Sequence, residues 1–222
     1  YEMDKSKKSK GYLLKLTDKS KVEKLMTILD KSKYEVKLIE NKISKRNPQP
    51  PFITSTLQQE ANKKFNFTIK STMNIAQKLY EGGHITYMRT DSTNLSDEAL
   101  KSCEKYIKSN FGSKYYYKRK YNSKSKNAQE AHEAIRPTKL DKDSIVGSAE
   151  EKKLYSLIWK RTIASQMSSA EISVNSIYVE IMHNNLLPYY FLSTNESIKF
   201  DGFLKVYNVE SEELSKCNIN FK

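Results

Sequence analysis

Apolar positions recur along this chain with two different periods, and the changes of period divide it into three stretches. Val22, Leu25, Met26 and Leu29 follow helical spacing. They lie behind Ser20-x-x-Glu23, a pairing in which each side chain takes up the other's free backbone N–H. Tyr34, Val36 and Leu38 then alternate with Lys33, Glu35 and Lys37, the period of a half-buried strand. Residues 11–16, Gly-Tyr-Leu-Leu-Lys-Leu, read as an earlier strand, so the opening stretch is strand–helix–strand.

Asn47-Pro48-Gln49-Pro50-Pro51 breaks this pattern, because proline fixes φ and turns its neighbour away from helix. Helical periods follow. Ser55-x-x-Gln58 is placed to cap a helix running to about Lys64. Residues 71–81 predict a second helix with Met73, Ala76 and Tyr80 on one side, stopped by Gly82-Gly83. Ser96, with Asp97 and Glu98 in the first turn, predicts a third, whose stripe is Leu100, Cys103, Ile107 and Phe111 before Gly112. Residues 113–127 are basic, aromatic and aperiodic, and read as a loop. Ser148-x-x-Glu151 caps a long fourth helix to about Gln166, with Leu154, Leu157, Ile158 and Arg161 inward.

After Met167 the strand period returns, in Ile177, Val179 and Ile181, at 189–192 and in Phe203 to Val206. The fold class expected is α+β, with a helical domain inserted into a β-rich one. The boundaries expected are 1–49 and 169–222 for the two parts of the β-rich domain and 50–168 for the helical insert.

Composition narrows the function classes. The formal net charge of +13 over 222 residues suggests a polyanionic partner, since Lys and Arg on phosphates release condensed counterions. AT-rich coding, which favours Lys, Asn, Ile and Tyr, accounts for the same surplus equally well. No apolar run approaches the ~20 residues that span a bilayer, so no membrane partner is expected. Cys103 and Cys217 lie far apart with no CxxC pair, which suits a reduced intracellular protein without a zinc site. The chain opens on Tyr1 rather than Met, and a piece of a longer protein is expected.

Two segments concentrate chemistry. In 87–96, Tyr87 stands two residues before Arg89 and four before Asp91, between a helix stop and a helix cap. A free phenol, with a pKa near ~10, is almost wholly protonated at neutral pH and needs a cation or proton acceptor to act as a nucleophile. Arg89 is placed to offer a forked cation to a phosphate or a developing phenolate, and Asp91 to orient it. Spacing alone serves an ordinary Tyr beside an Arg–Asp ion pair as well. In 129–138, His132 adjoins Glu133, which would favour its charged form, and Arg136 is a second phosphate fork. The HExxH zinc motif is excluded, because Arg136 stands where the second histidine belongs.

Taken together, Pro-Phe-Ile-Thr-Ser-Thr-Leu-Gln-Gln-Glu-Ala at 51–61, the block 87–96 and the block 129–138 resemble the signature blocks of type IA, bacterial-type DNA topoisomerase I. Leu-Tyr-Glu-Gly-Gly at 79–83 and Leu-Tyr-Ser-Leu-Ile-Trp at 154–159 are similar to that family too. The resemblance is dense from 51 to about 170 and looser on either side. It implies that Tyr87 is the nucleophile, leaving a 5′-phosphotyrosine and a free 3′-hydroxyl on one DNA strand and resealing it without ATP. It implies that Arg89 positions the scissile phosphate and that Asp91 and His132 support it near the DNA. It further implies that the helical domain is a gate hung from a β-rich arch, that the substrate is a single-stranded segment of negatively supercoiled DNA, and that the reaction relaxes those supercoils.

The family's magnesium site belongs to a TOPRIM domain that none of these residues matches. Asp141-Lys142-Asp143 follows no strand and has no Glu two residues on, and is rejected as a substitute. No cofactor is therefore expected in this chain, Mg2+ is expected in the missing TOPRIM domain, and this piece alone is expected not to relax DNA. Lys118, Arg119 and Lys120, interleaved with tyrosines, form a strip suited to phosphates and unpaired bases. A bacterial cytoplasm or nucleoid, or an organelle such as a plastid, is the expected location. The alternatives are a non-catalytic single-stranded nucleic-acid scaffold in which Tyr87 only packs and, less well matched, a tyrosine recombinase.

Overall fold

A computed structural model describes residues 16–121, 133–182 and 190–207. Five helices and three strands appear in the order α1 (Lys19–Asp30), β1 (Lys33–Arg46), α2 (Thr54–Phe65), α3 (Ile69–Glu81), α4 (Asp97–Phe111), α5 (Ala149–Ser165), β2 (Ala170–Met182) and β3 (Tyr190–Phe200). The strands form one sheet in the order β1-β2-β3. Lys37 pairs with Glu180 at 2.9 Å and Lys45 with Glu171 at 3.7 Å, so β1 and β2 run antiparallel. The class is α+β.

The chain divides into two compact units, Tyr1–Ser44 with Ile172–Lys199 and Glu210–Lys222, and Lys45–Glu171 with Phe200–Val209. In the first, α1 is capped two residues before the expected capping box. Asp18, not Ser20, is its cap, accepting the Ser20 N–H at 2.9 Å. Its helical stripe buries nothing. The strand β1 is longer than its alternation suggested and is not half-buried. Tyr34, Val36, Leu38, Ile39 and Ile43 are all exposed. The candidate strand at 11–16 lies outside the described residues.

The second unit holds the core. α3 packs on α5, and α2 leans on both. α5 is set by its box: Ser148 Oγ accepts the Glu151 N–H at 3.2 Å while Glu151 accepts the Ser148 N–H at 2.9 Å. It buries Leu154, Leu157, Ile158, Trp159, Ile163 and Ala164 together with Arg161. Each such aliphatic chain contributes on the order of 1.5–3 kcal/mol by leaving water. Arg161 is not left uncompensated: its Nε donates to Pro50 O at 2.7 Å, and its guanidinium lies 4.7 Å from the Phe52 ring centre. Trp159 donates its indole N–H to Leu140 O at 3.0 Å.

Three expectations for this unit need correction. Thr68 caps α3, so the helix begins two residues early and buries Thr72, Ile75, Ala76 and Leu79. The expected stripe was one residue out of register, and Tyr80 is exposed instead. Ser55 does not cap α2, whose first turn is closed by Ile53 N–H donating to Thr56 Oγ1 at 3.0 Å. Phe203 to Val206 is no strand. Gly202 takes φ +50 and starts a 3-10 turn, Gly202–Lys205, that buries Phe203 and Leu204 in the helical unit. A Cβ on Gly202 would stand 2.5 Å from Ser168 O, so close backbone approach demands glycine there.

Candidate active site

Between α3 and α4 the chain is irregular, with bends at His84, Thr86 and Met88, and exposure alternates from Tyr87 to Ser92. Ile85, Met88 and Ser92 are buried, Thr86 and Thr90 are partly covered, and Tyr87, Arg89 and Asp91 face solvent. The phenol, the guanidinium and the carboxylate are thus all open to solvent within five residues of chain. Tyr87 is 45% exposed. Its ring meets the exposed Tyr80 ring edge-on, with centres 5.2 Å apart. That contact follows from the true register of α3, and Tyr80 is the neighbour that sequence reasoning missed. The spacing Thr72, Ile75, Ala76, Leu79 was the signal that would have turned it outward. Among the described residues Arg89 and Asp91 form no ion pair with each other, so the guanidinium is not committed to that carboxylate.

The backbone on both sides of Tyr87 is pinned. Thr86 donates its N–H to Arg136 O at 2.9 Å and its hydroxyl to Ala134 O at 2.7 Å, and its Oγ1 accepts the Arg136 N–H at 3.0 Å. On the other side, Thr54 donates its hydroxyl to Met88 O at 2.8 Å and accepts the Thr90 N–H at 2.9 Å. Thr54 N–H donates to Thr90 O at 3.0 Å. Single bridges between Phe52 and Ile135 and between Ile85 and Pro137 complete the clamp. Three sequence blocks separated by tens of residues thus meet at the one carrying Tyr87.

Glu133 and Arg136 build the clamp and are not free. Arg136 grips the Glu133 carboxylate with two bonds, 2.6 and 3.2 Å, and donates a third to Pro137 O at 3.0 Å. Glu133 also accepts the N–H of Ser96, the cap of α4, at 2.6 Å. Burial pushes the Glu133 carboxyl upward, but the bonds from Arg136 and Ser96 outweigh it and hold the carboxyl below its ordinary range. The expected second phosphate fork is therefore a strut: the geometry spends Arg136 on Glu133.

The family model for DNA topoisomerase matches residues 2–220. The chain belongs to the bacterial-type DNA topoisomerase I family. It is 51% identical over 199 residues to the prokaryotic-type DNA topoisomerase 1 of Acanthamoeba polyphaga mimivirus, covering 86% of this chain and 23% of that protein. It is 47% identical over 206 residues to DNA topoisomerase 1 of Rickettsia felis, covering 85% and 26%. Full-length topoisomerase I from Thermotoga maritima superposes with a TM-score of 0.71 at 34% identity, covering 90% of this chain and 33% of that one. The chain spans about a quarter of the length of these curated relatives.

In this topoisomerase chain the basic strip is, as far as Tyr121, a loop tied to the residues after α5. A 3-10 turn, Ser113–Tyr115, leads into a bridge between Tyr116 and Met167, and Tyr117 N–H donates to Gln166 O at 3.0 Å. Arg119 is turned inward. Its guanidinium donates to Met167 O and, at 2.8 Å, to Ser169 Oγ, while its backbone N–H donates to Gln166 Oε1 at 3.0 Å. Burial lowers its pKa. Lys118 and Lys120 remain exposed. His132 lies outside the described residues. No group of three or more His, Cys, Asp or Glu side chains converges among the described residues.

Proposed function

We propose that this chain supplies the nucleophile of a type IA topoisomerase reaction. The Tyr87 oxygen attacks the phosphorus of one strand, forming a phosphotyrosine O–P bond as the P–O3′ bond breaks. The 3′-oxygen leaves with a proton, and the phenol gives one up. Reversal reseals the strand, and passage of another strand through the break relaxes negative supercoils. One phosphodiester replaces another, so no ATP is required.

The observation that carries this reading is an exposed phenol on a segment pinned on both sides, with an exposed Arg89 two residues on. Arg89 supplies a forked cation to the phosphate, and a preorganised donor aimed at developing charge is the commonest source of rate enhancement. Asp91 and His132 are assigned supporting roles, and Lys118 and Lys120 contacts to the strand. The magnesium site falls to a part of the parent protein outside these residues, and this chain alone is expected not to relax supercoils. The action belongs wherever the parent protein meets DNA.

The test is complementation. The rest of the parent protein is supplied with native chain, with Tyr87→Phe or with Arg89→Ala, and both relaxation and covalent adduct on a single-stranded oligonucleotide are measured. Native chain should give both. Tyr87→Phe should give neither, and Arg89→Ala should slow adduct formation by about 100-fold or more, as loss of one transition-state donor does. Adduct undiminished in Tyr87→Phe would replace this reading with that of a single-strand scaffold.

A further inference from the structure

The second unit also contains a cleft of ≈ 680 Å3 whose lining includes neither Tyr87 nor Arg89 and is formed among others by Lys45, Lys114, Tyr117, Arg119, Glu171 and Phe200. That size lies within the roughly 300–1,000 Å3 that small-ligand sites occupy. Its charge is lopsided. Lys45 is paired with Glu171 at 3.7 Å, the carboxylate of this lining set. Among the described residues Lys114 forms no ion pair; its ammonium stands over the Tyr115 and Phe200 rings at 5.4 and 5.7 Å. Arg119 bonds only neutral oxygens, a carbonyl and a hydroxyl, so its charge is not cancelled. Three cations against one carboxylate favour an anion.

The cleft also offers a flat aromatic surface. Tyr117 is 60% exposed although its backbone is tied to Gln166. Arg119 stacks behind its ring, 4.7 Å from the centre. A phenol ring held against a guanidinium and otherwise open is a platform for a second π-system. Cation and platform together describe a ligand with one planar aromatic part and one phosphate.

We propose that this cleft binds a nucleotide of single-stranded DNA, with its base on Tyr117 and its phosphate at Lys114. The choice of DNA rests on the reading above, but the site does not depend on Tyr87. A strand held here is positioned without being cut. A free nucleotide shares the same chemistry, and the two sources separate by length dependence.

The experiment uses the 222-residue chain and a fluorescein-labelled dT oligonucleotide of about ten residues, followed by anisotropy across a salt series. Tyr117→Ala should weaken binding about fivefold or more, the low end of what one base–aromatic stack contributes, while Tyr117→Phe should bind as native. Lys114→Ala should lower the slope of log K against log salt by about 0.7, one phosphate's share on a single strand. Tyr117 is exposed, and unchanged melting will show that the variants fold. Equal binding by native and Tyr117→Ala chains overturns the proposal, as does tighter binding of dTMP than of the oligonucleotide. Loss of adduct in Tyr87→Phe with intact Tyr117 dependence would leave both readings standing. Adduct in Tyr87→Phe would remove only the catalytic one.

Discussion

At the scale of single residues, the phenol at 87 owes its position to groups that never touch it. Thr54 is the clearest. Replacing it by Val keeps the volume but leaves the Met88 carbonyl without its donor and the Thr90 N–H without its side-chain acceptor. Thermal melts should show a loss of about 1–3 kcal/mol, and adduct formation should slow while oligonucleotide affinity holds. Glu133 makes a pH prediction. Its folded pKa is depressed, so its contribution is present above the unfolded carboxylate value near ~4.3 and is lost as pH falls through the lower folded value. Native chain should therefore melt above Glu133→Gln at pH 7, and the gap should close on acidification below about pH 4. A gap that widens in acid would contradict the assigned strut. Burial, opposed weakly by Arg136, pushes the Cys103 thiol up to about 12, and an aromatic disulfide reagent should not reach it until the helical unit unfolds. The family was legible from three sequence blocks in order. That Arg136 and Arg119 turn inward was not, since an arginine's partners are carbonyls and carboxylates brought up by the fold.

At the scale of elements, local signals located helices well and their faces less well. Ser96 and Ser148 cap α4 and α5 as their sequences implied, because an N-cap needs only neighbours along the chain. The face of α3 depended on Thr72, whose hydroxyl turns back to Thr68 O at 2.9 Å and lets a polar residue enter the core. That rotation is why Tyr80 rather than a core residue meets Tyr87. Phe203 to Val206 carried strand-forming side chains, and the turn at Gly202 overrode them. Gly202→Ala should destabilise the chain by about 2 kcal/mol or more, from left-handed strain and collision with Ser168 O. A denaturant melt checks it, and an unperturbed midpoint would show that the turn relaxes freely.

At the scale of the whole molecule, packing is uneven. The helical unit buries ten of the seventeen residues of α5, whereas α1 buries no residue and β1 leaves its apolar side chains exposed. Amide exchange should therefore be slowest in α5 and fast in α1 and β1, because local opening is cheapest where least apolar surface is lost. The α+β class could be read from periodicity, but the exposure of β1 could not, since alternation says nothing of whether a partner layer arrives. The account stands on which of fifteen tyrosines takes the DNA phosphate. The most direct measurement is to form the covalent adduct with the complemented parent protein, digest it, and locate the nucleotide by mass spectrometry. The account predicts a single modified peptide with the phosphate on Tyr87. A phosphate on Tyr80, or on any other side chain, would contradict it.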